Sequence, residues 1–148
     1  MEAEDFRRMG AQMNKSPEKQ KREYHEMKLQ FVVVKFLRWA LPSDAVFLHI
    51  PNGGEMDEDT RKKMHALGEM KGASDLIILY RGLLIFIELK VRKNSNYGVK
   101  RTTYQSKDQK AFHSAVESAG AFYAVCRSID DVQGSLTAFG VPLKARVA

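Results

Sequence analysis

Two apolar segments separated by only two residues constrain the fold of this chain more than any other feature. They are DLIILY, at 75–80, and LLIFIELK, at 83–90, with Arg81 and Gly82 between them. Two strands joined by a two-residue connection form an antiparallel hairpin. Both segments are continuously apolar rather than alternating, which is typical of central strands covered on both faces. We therefore predict a buried hairpin in the middle of a sheet.

The rest of the chain predicts an α/β domain with a mixed central β-sheet and helices on both sides. Helices are predicted at 23–41, 57–67, 106–118 and 129–139, and further strands at 46–50 and 121–126. The first helix is apolar over most of its circumference, so we expect it to be largely buried. We expect 1–20 to be a polar tail and 21–148 to be one domain.

Composition is typical of a soluble globular protein, with 44% hydrophobic and 28% charged residues in 148. No apolar segment is long enough to cross a bilayer, and the N-terminus lacks the apolar core of a signal peptide. We therefore expect a cytoplasmic protein without a membrane partner. The single cysteine, Cys126, lies in the apolar run AFYAVC, and we interpret it as a packed hydrophobe in a reducing compartment rather than a catalytic thiol.

Basic residues are concentrated directly after the hairpin. The chain carries a net charge of +6, which suits a polyanionic partner. Between positions 92 and 110 there is one acid, Asp108, and six basic residues: Arg92, Lys93, Lys100, Arg101, Lys107 and Lys110. A solvated loop is the plain interpretation of such a segment. Its position beside the acidic end of the hairpin favours contact with nucleic acid instead.

The hairpin register brings two acids and a lysine together. If Tyr80 and Leu83 flank the turn, Asp75 lies directly opposite Glu88, with Cβ atoms about 4.5–5.5 Å apart on one face of the sheet. Lys90 is two residues beyond Glu88 and projects from the same face. Two carboxylates this close repel each other unless a positive charge lies between them.

This arrangement suits phosphodiester hydrolysis. Carboxylates are the ligands that Mg²⁺ prefers, and the ion usually binds through one or two of them together with a phosphate. Such a metal lowers the pKa of a bound water, and a nearby lysine can stabilise the charge that develops on the phosphate. The alternative is that Asp75 caps a strand end while Glu88 and Lys90 form a surface ion pair. The cross-strand acid, the buried strands and the basic segment favour a functional site.

Other catalytic signatures are absent. His25-Glu26 begins like a zinc-protease helix, but the second histidine would have to stand where Leu29 is. There is no cysteine pair for zinc, no glycine-rich phosphate loop and no G-x-S-x-G sequence. Of the four histidines, only His49 is near a turn of interest, and we interpret it as a core histidine.

The same residues resemble the PD-(D/E)xK nuclease superfamily and, within it, the VRR-NUC domain. The E-x-K match is Glu88-Leu89-Lys90, and the upstream acid is Asp75, preceded by Ser74 where the family usually has proline. The Asn-Gly-Gly turn at 52–54 and the pattern S-x-x-Q-x-x-F at 106–112 are also similar. The resemblance implies a restriction-endonuclease-like core. It also implies that Asp75 and Glu88 bind metal with the Leu89 carbonyl, and that Lys90 is catalytic.

Further site residues follow from the resemblance. The family often brings an acid from the first helix to the metal, and we assign Glu26 to this role, with Glu23 as the competing choice. Gln109 is expected to contact the water, the lysine or the phosphate. The expected DNA contacts are Asn52, Gly53, Gly54, Lys93, Lys100, Arg101 and Lys107, with a plain turn as the alternative for the first three.

The resemblance therefore implies a Mg²⁺- or Mn²⁺-dependent endonuclease that hydrolyses DNA. Small stand-alone domains of this type resemble phage or bacterial enzymes that act on branched DNA such as Holliday junctions. A four-way junction needs two symmetrical cuts, which a homodimer supplies naturally. The alternatives are a nuclease for flaps, single strands or restriction-type sites, and a nucleic-acid-binding protein that has lost catalysis.

Overall fold

The order of helices and strands in the structure matches the predicted order. A computed structural model describes residues 17–51, 56–91 and 104–148, without the side chains of residues 19 and 21–23. The helices are α1 (Pro17–Ala40), α2 (Glu58–Ala66), α3 (Lys107–Ser118) and α4 (Ile129–Ala138). The strands are β1 (Ala45–His49), β2 (Leu76–Tyr80), β3 (Leu83–Leu89) and β4 (Phe122–Cys126).

The four strands form one mixed sheet in the order β1-β2-β3-β4. β1 pairs antiparallel with β2, β2 antiparallel with β3, and β3 parallel with β4. The hairpin thus occupies the middle of the sheet, which confirms the prediction. Its register is also the predicted one, running from the Tyr80–Leu83 pair at the turn to the Leu76–Ile87 pair at the open end.

The turn of this hairpin contains an arginine, Arg81, in a backbone conformation that glycine usually adopts. Arg81 and Gly82 both have positive φ, at 44° and 79°, as a type I′ turn requires. Glycine adopts this conformation freely, but for arginine it carries a conformational cost. The Arg81 Nε donates a hydrogen bond of 2.7 Å to Oδ2 of Asp44, the residue before β1. This ion pair ties the turn to the neighbouring strand.

Helices cover both faces of the sheet, as predicted. One face packs against α1 and α4 in a core of fully buried side chains that includes Leu37, Ile78, Ile85, Ile87 and Leu136. On the other face, α3 packs Phe112 and Val116 against Tyr123 of β4. Because side chains alternate along a strand, Glu88 faces the α3 side while Ile87 and Leu89 face the main core.

The prediction that α1 is largely buried was wrong. Its outer face is exposed, with 51–63% of the residue surface accessible at Tyr24, Met27, Phe31 and Trp39. The helix lies at the outside of the molecule, and composition alone does not distinguish a core-facing apolar residue from one on the opposite face. Within the described ranges, neither α1 nor any other helix is long and apolar enough to span a membrane.

Most element boundaries lie within one residue of the prediction, and the start of α1 is the exception. α1 begins at Pro17 rather than at residue 23, so that 17–20 are helical instead of part of a tail. These polar residues show no apolar period, but proline suits the first helical turn, and glutamate, lysine and glutamine are good helix formers. β1 runs from Ala45 to His49, one residue earlier than predicted.

Cys126 is fully buried at the end of β4. Its Sγ lies 3.8 Å from the Ser135 hydroxyl of α4, and burial raises the pKa of the thiol to about 11. A thiol in this environment stays protonated at neutral pH and is a poor nucleophile. The structure therefore confirms that Cys126 is a packed hydrophobe.

Candidate active site

Asp75 lies at the open end of the hairpin, immediately before β2. The last pair of the ladder is Leu76 with Ile87, so the next step of the same register carries Asp75 opposite Glu88, as predicted. The Asp75 Oδ2 accepts a hydrogen bond of 2.7 Å from the main-chain N–H of Leu89. Asp75 thus caps the strand end, which is one half of the alternative interpretation of this motif.

The other half of that alternative, a surface ion pair, does not describe Glu88 and Lys90. Only 4% of the Glu88 side chain and 13% of the Lys90 side chain are exposed, and Lys90 Nζ lies 3.2 Å from Glu88 Oε1. Within the described part of the chain, the buried Glu88 Oε2 has no hydrogen-bond partner. A buried carboxylate oxygen without a partner is costly unless a cation or donor reaches it.

Gln109 joins this pair from the first turn of α3. It occupies helix position N3 of a capping box, in which Ser106 N–H donates to Gln109 Oε1 at 2.9 Å and Gln109 N–H donates to Ser106 Oγ at 3.2 Å. The same Oε1 accepts a hydrogen bond of 2.9 Å from Lys90 Nζ, and Nε2 donates to Glu88 Oε1. One amide therefore caps the helix and orients both the lysine and the acid.

The electrostatics of the site favour a bound cation. Burial, followed by the negative charge of Asp75, raises the pKa of Glu88 to about 7, although Lys90 opposes the shift. Burial also raises the pKa of Asp75, opposed by the Leu89 N–H and by the charges of Lys90 and His49. Both carboxyl groups are thus harder to ionise than in water, because burial disfavours their charged forms and Lys90 only partly offsets this effect.

A cleft of about 440 Å³ opens onto these side chains. Glu26 and Gln30 of α1 line it, together with Arg61 of α2 and Lys71 of the segment before β2. Glu26 also contributes to the raised pKa of Glu88 through its negative charge. Within the described ranges, however, no three acidic, histidine or cysteine side chains come together as a metal-binding cluster. The assignment of Glu26 as a ligand stays a prediction.

Gly72 holds the segment before Asp75 against α3. Its φ is +77°, and an added Cβ would overlap the main chain of Asp108 and Gln109. Glycine is required where two backbones approach this closely. Sequence reasoning missed Gly72 and Lys71 as parts of the site, although a glycine in the turn just before the first acid is a signal that could have pointed to them.

Two described residues, Lys107 and His49, lie elsewhere than predicted. Lys107 is exposed on the first turn of α3 and does not line the cleft. His49, predicted to be a core histidine, is instead exposed at the end of β1. It lies there because β1 ends beside Asp75 and is at the edge of the sheet formed by the described strands. The remaining predicted DNA contacts lie outside the described residues: Asn52, Gly53, Gly54, Lys93, Lys100 and Arg101.

Comparison with known proteins supports the fold. No family model matches the chain, and no curated protein matches it. A solved structure described as a "VRR_NUC domain protein" is similar, with a TM-score of 0.53 and 20% sequence identity. The similarity covers 78% of this chain and 87% of that chain. The chain therefore has the fold of a VRR_NUC domain, with the mixed sheet and flanking helices described above.

Proposed function

We propose that this chain is a metal-dependent nuclease that hydrolyses phosphodiester bonds of DNA at the cleft beside Asp75, Glu88 and Lys90. The observation that carries the proposal is the pairing of the buried Glu88 and half-buried Asp75 carboxylates with a lysine at the open end of a central hairpin. The fold shared with a VRR_NUC domain protein supports it, since that domain's name denotes a nuclease.

The residues at this site fit a divalent cation. Glu88 Oε2 is a buried oxygen without a hydrogen-bond partner among the described residues, and the pKa values of both acids are raised by burial. Asp75 and Glu88 would hold Mg²⁺ or Mn²⁺, with the Leu89 carbonyl and Glu26 completing the proposed set. The bound ion would supply a water of lowered pKa and charge stabilisation at the scissile phosphate.

Lys90 supplies the protein's own positive charge at the reaction centre. A lysine at this place orients the attacking water and stabilises the negative charge that develops on the phosphate oxygens. Gln109 Oε1 and Glu88 Oε1 hold the Lys90 ammonium group at 2.9 and 3.2 Å. This network fixes the ammonium group before substrate arrives, so that less reorganisation is needed during the reaction.

The proposed substrate is branched DNA, such as a Holliday junction, bound mainly through its phosphates. Arg61 and Lys71 bring positive charge to the cleft, and the basic segment at 92–110 follows Lys90 in the chain. Contacts of this type recognise backbone charge and shape rather than base sequence. The proposed assembly is a homodimer. The exposed face of α1, which carries Tyr24 and Phe31, is available to form it.

The test is a cleavage assay with labelled duplex, flap, splayed, single-stranded and four-way DNA, with Mg²⁺ or Mn²⁺ and with chelator. The proposal predicts metal-dependent cutting, fastest on the four-way substrate. Faster cutting of flaps or single strands would keep the nuclease and replace the substrate. DNA binding without cutting of any substrate would instead identify a binding protein. The molar mass in solution, measured by light scattering, tests the homodimer.

A further inference from the structure

His49 connects the acidic site to the first helix. It is the last residue of β1 and pairs with Leu76, which places its ring beside the main chain of Asp75. The His49 Nδ1 lies 2.9 Å from the Asp75 carbonyl oxygen and 2.8 Å from Gln30 Nε2. The N–H of Ile50 donates to the same carbonyl at 2.9 Å. The end of β1 therefore holds Asp75 through its backbone.

The contact between His49 and the Asp75 carbonyl affects the position of the Asp75 carboxylate, because Asp75 lies at the end of the sheet. Asp75 precedes the first pair of the β2–β3 ladder, and the bond from the Ile50 N–H extends the β1–β2 register one step beyond the His49–Leu76 pair to reach it. Its carboxylate is held by Leu89 N–H, while its carbonyl is held by His49 and Ile50. Loss of the His49 contact would leave the carbonyl with fewer partners, and the carboxylate would be less well fixed opposite Glu88.

The contact with Gln30 extends the connection to α1. Gln30 and Glu26 are one turn apart on the helix, and both line the cleft. One nitrogen cannot donate to the Asp75 carbonyl and accept from the Gln30 amide in the same tautomer. With its proton on Nδ1 the ring binds Asp75, and with its proton on Nε2 it accepts from Gln30. In both forms the imidazole fills the space between the acid and the helix.

We propose that His49 is a positioning residue, which fixes Asp75 and the cleft face of α1 without contacting the substrate. This role rests on the proposed function, because it matters through the metal and phosphate site that Asp75 would serve. Residues that orient metal ligands commonly change metal affinity or activity by about 10–100-fold when they are removed. Because His49 is exposed, its replacement removes no core packing.

The experiment compares His49→Leu, which removes the hydrogen bond, with His49→Asn, which returns a polar atom at the δ position. His65→Leu, an exposed histidine that does not line the cleft, is the matched control. Hydrogen exchange of the Leu89 amide is measured in metal-free protein, because that amide reports the position of the Asp75 carboxylate. Mn²⁺ affinity is measured by calorimetry without DNA, and cleavage of the four-way substrate is measured last.

In His49→Leu, the Leu89 amide hydrogen should exchange roughly two- to tenfold faster than in the wild type. The variant should bind Mn²⁺ at least about tenfold more weakly, and its cleavage rate should fall to match. His49→Asn should recover most of both binding and protection, and His65→Leu should behave like the wild type. Wild-type exchange and Mn²⁺ affinity in His49→Leu would overturn the role. So would equal damage in the Leu and Asn variants with a lowered metal-free melting temperature, because that is a structural effect.

Failure of the proposed function gives a different result. If the wild type neither binds Mn²⁺ nor cuts DNA, the nuclease proposal fails. The inference that His49 positions Asp75 for metal binding then fails as well. Exchange of the Leu89 amide in the metal-free protein still decides whether His49 fixes Asp75. A wild-type protein that binds and cuts, with an unaffected His49→Leu variant, overturns the positioning role alone.

Discussion

The Asp75 carboxylate accepts a hydrogen bond of 2.7 Å from the main-chain N–H of Leu89, across the open end of the hairpin. Because Leu89 directly follows Glu88, this bond holds the Asp75 carboxylate beside the second acid instead of letting the two separate. The repulsion between them contributes to the raised pKa of Glu88. A site built in this way keeps a negative potential into which a cation can bind.

Metal should stabilise the folded protein. An ion that binds the native carboxylates but not the unfolded chain raises the free energy of unfolding, by about 2.7 kcal/mol at a concentration 100 times its Kd. Millimolar Mn²⁺ should therefore raise the melting temperature of the wild type, measured by scanning calorimetry. The increase should disappear in Asp75→Asn and persist in Asp130→Asn, an exposed acid on α4. Equal increases in all three proteins would mean that the ion binds elsewhere.

Glu88 should make the metal-free protein less stable as the pH rises. Its pKa is about 7 in the folded protein and near 4.5 in the unfolded chain, so the folded state binds its proton more tightly. The contribution to stability is fully present below pH 4.5 and is lost as the pH rises through about 7. The difference amounts to about 3 kcal/mol at most.

Glu88→Gln should lack this dependence because the amide does not titrate. Urea unfolding between pH 4.5 and 8 should show the stability of the wild type falling relative to that of the variant, with a plateau above pH 7. Parallel stability curves for the two proteins would show that Glu88 ionises in the folded protein as it does in water.

Gly72 should be essential for activity because of its close approach to α3, and Gly68, which lacks such a contact, provides the control. In Gly72→Ala the new methyl group overlaps the main chain of Asp108 and Gln109, so α3 must move away from the segment before Asp75. In Gly68→Ala the φ is also positive, at +95°, but nothing lies within 4 Å of the added atom. In urea unfolding Gly68→Ala should lose about 1 kcal/mol to backbone strain, and Gly72→Ala should lose more because the overlap adds to that strain. Only Gly72→Ala should lose cleavage, by at least about tenfold.

Equal activity of the two glycine variants would contradict this account. It would mean that the close approach of residue 72 to α3 does not set the position of Gln109 relative to Asp75.

The DNA path should be visible in the salt dependence of binding. The logarithm of affinity falls with the logarithm of salt concentration by about 0.9 per phosphate contact on duplex DNA. In a Glu88→Gln background, replacing Lys100 and Arg101 together by glutamine should reduce the slope by about one to two units and weaken all sequences alike. Lys62→Gln is the control, since this lysine pairs with Glu58 and does not line the cleft.

An unchanged slope in the Lys100 and Arg101 variant would remove that segment from the DNA path. The same measurement on a variant with both Arg61→Gln and Lys71→Gln then tests whether DNA contacts these two residues of the cleft. In that case we expect the slope to fall by about one to two units.

The parts of this structure that sequence could predict are those set by local geometry. A two-residue turn fixes the register of a hairpin, so the pairing of Tyr80 with Leu83 already determined that Asp75 faces Glu88. The start of α3 is similarly local, because Ser106 and Gln109 have the spacing of a capping box.

The parts that could not be predicted depend on packing between distant segments. The exposure of Phe31 and Trp39 depends on what lies against α1, which its own sequence does not encode. The need for glycine at position 72 arises because α3, far along the chain, approaches it. The contact of His49 with Gln30 and Asp75 likewise requires three separate segments to be in place.

The central claim is that Glu88 and Lys90 act on the phosphodiester bond, and cleavage by their variants tests it most directly. Wild type, Glu88→Gln and Lys90→Ala are compared on the best DNA substrate with saturating Mg²⁺, with Glu117→Gln, an exposed acid of α3, as control. The two site variants should lose at least about 10²-fold in rate while keeping the circular dichroism spectrum of the wild type. The control should cut normally. Near wild-type cleavage by either site variant would contradict the assignment of this cleft as the active site.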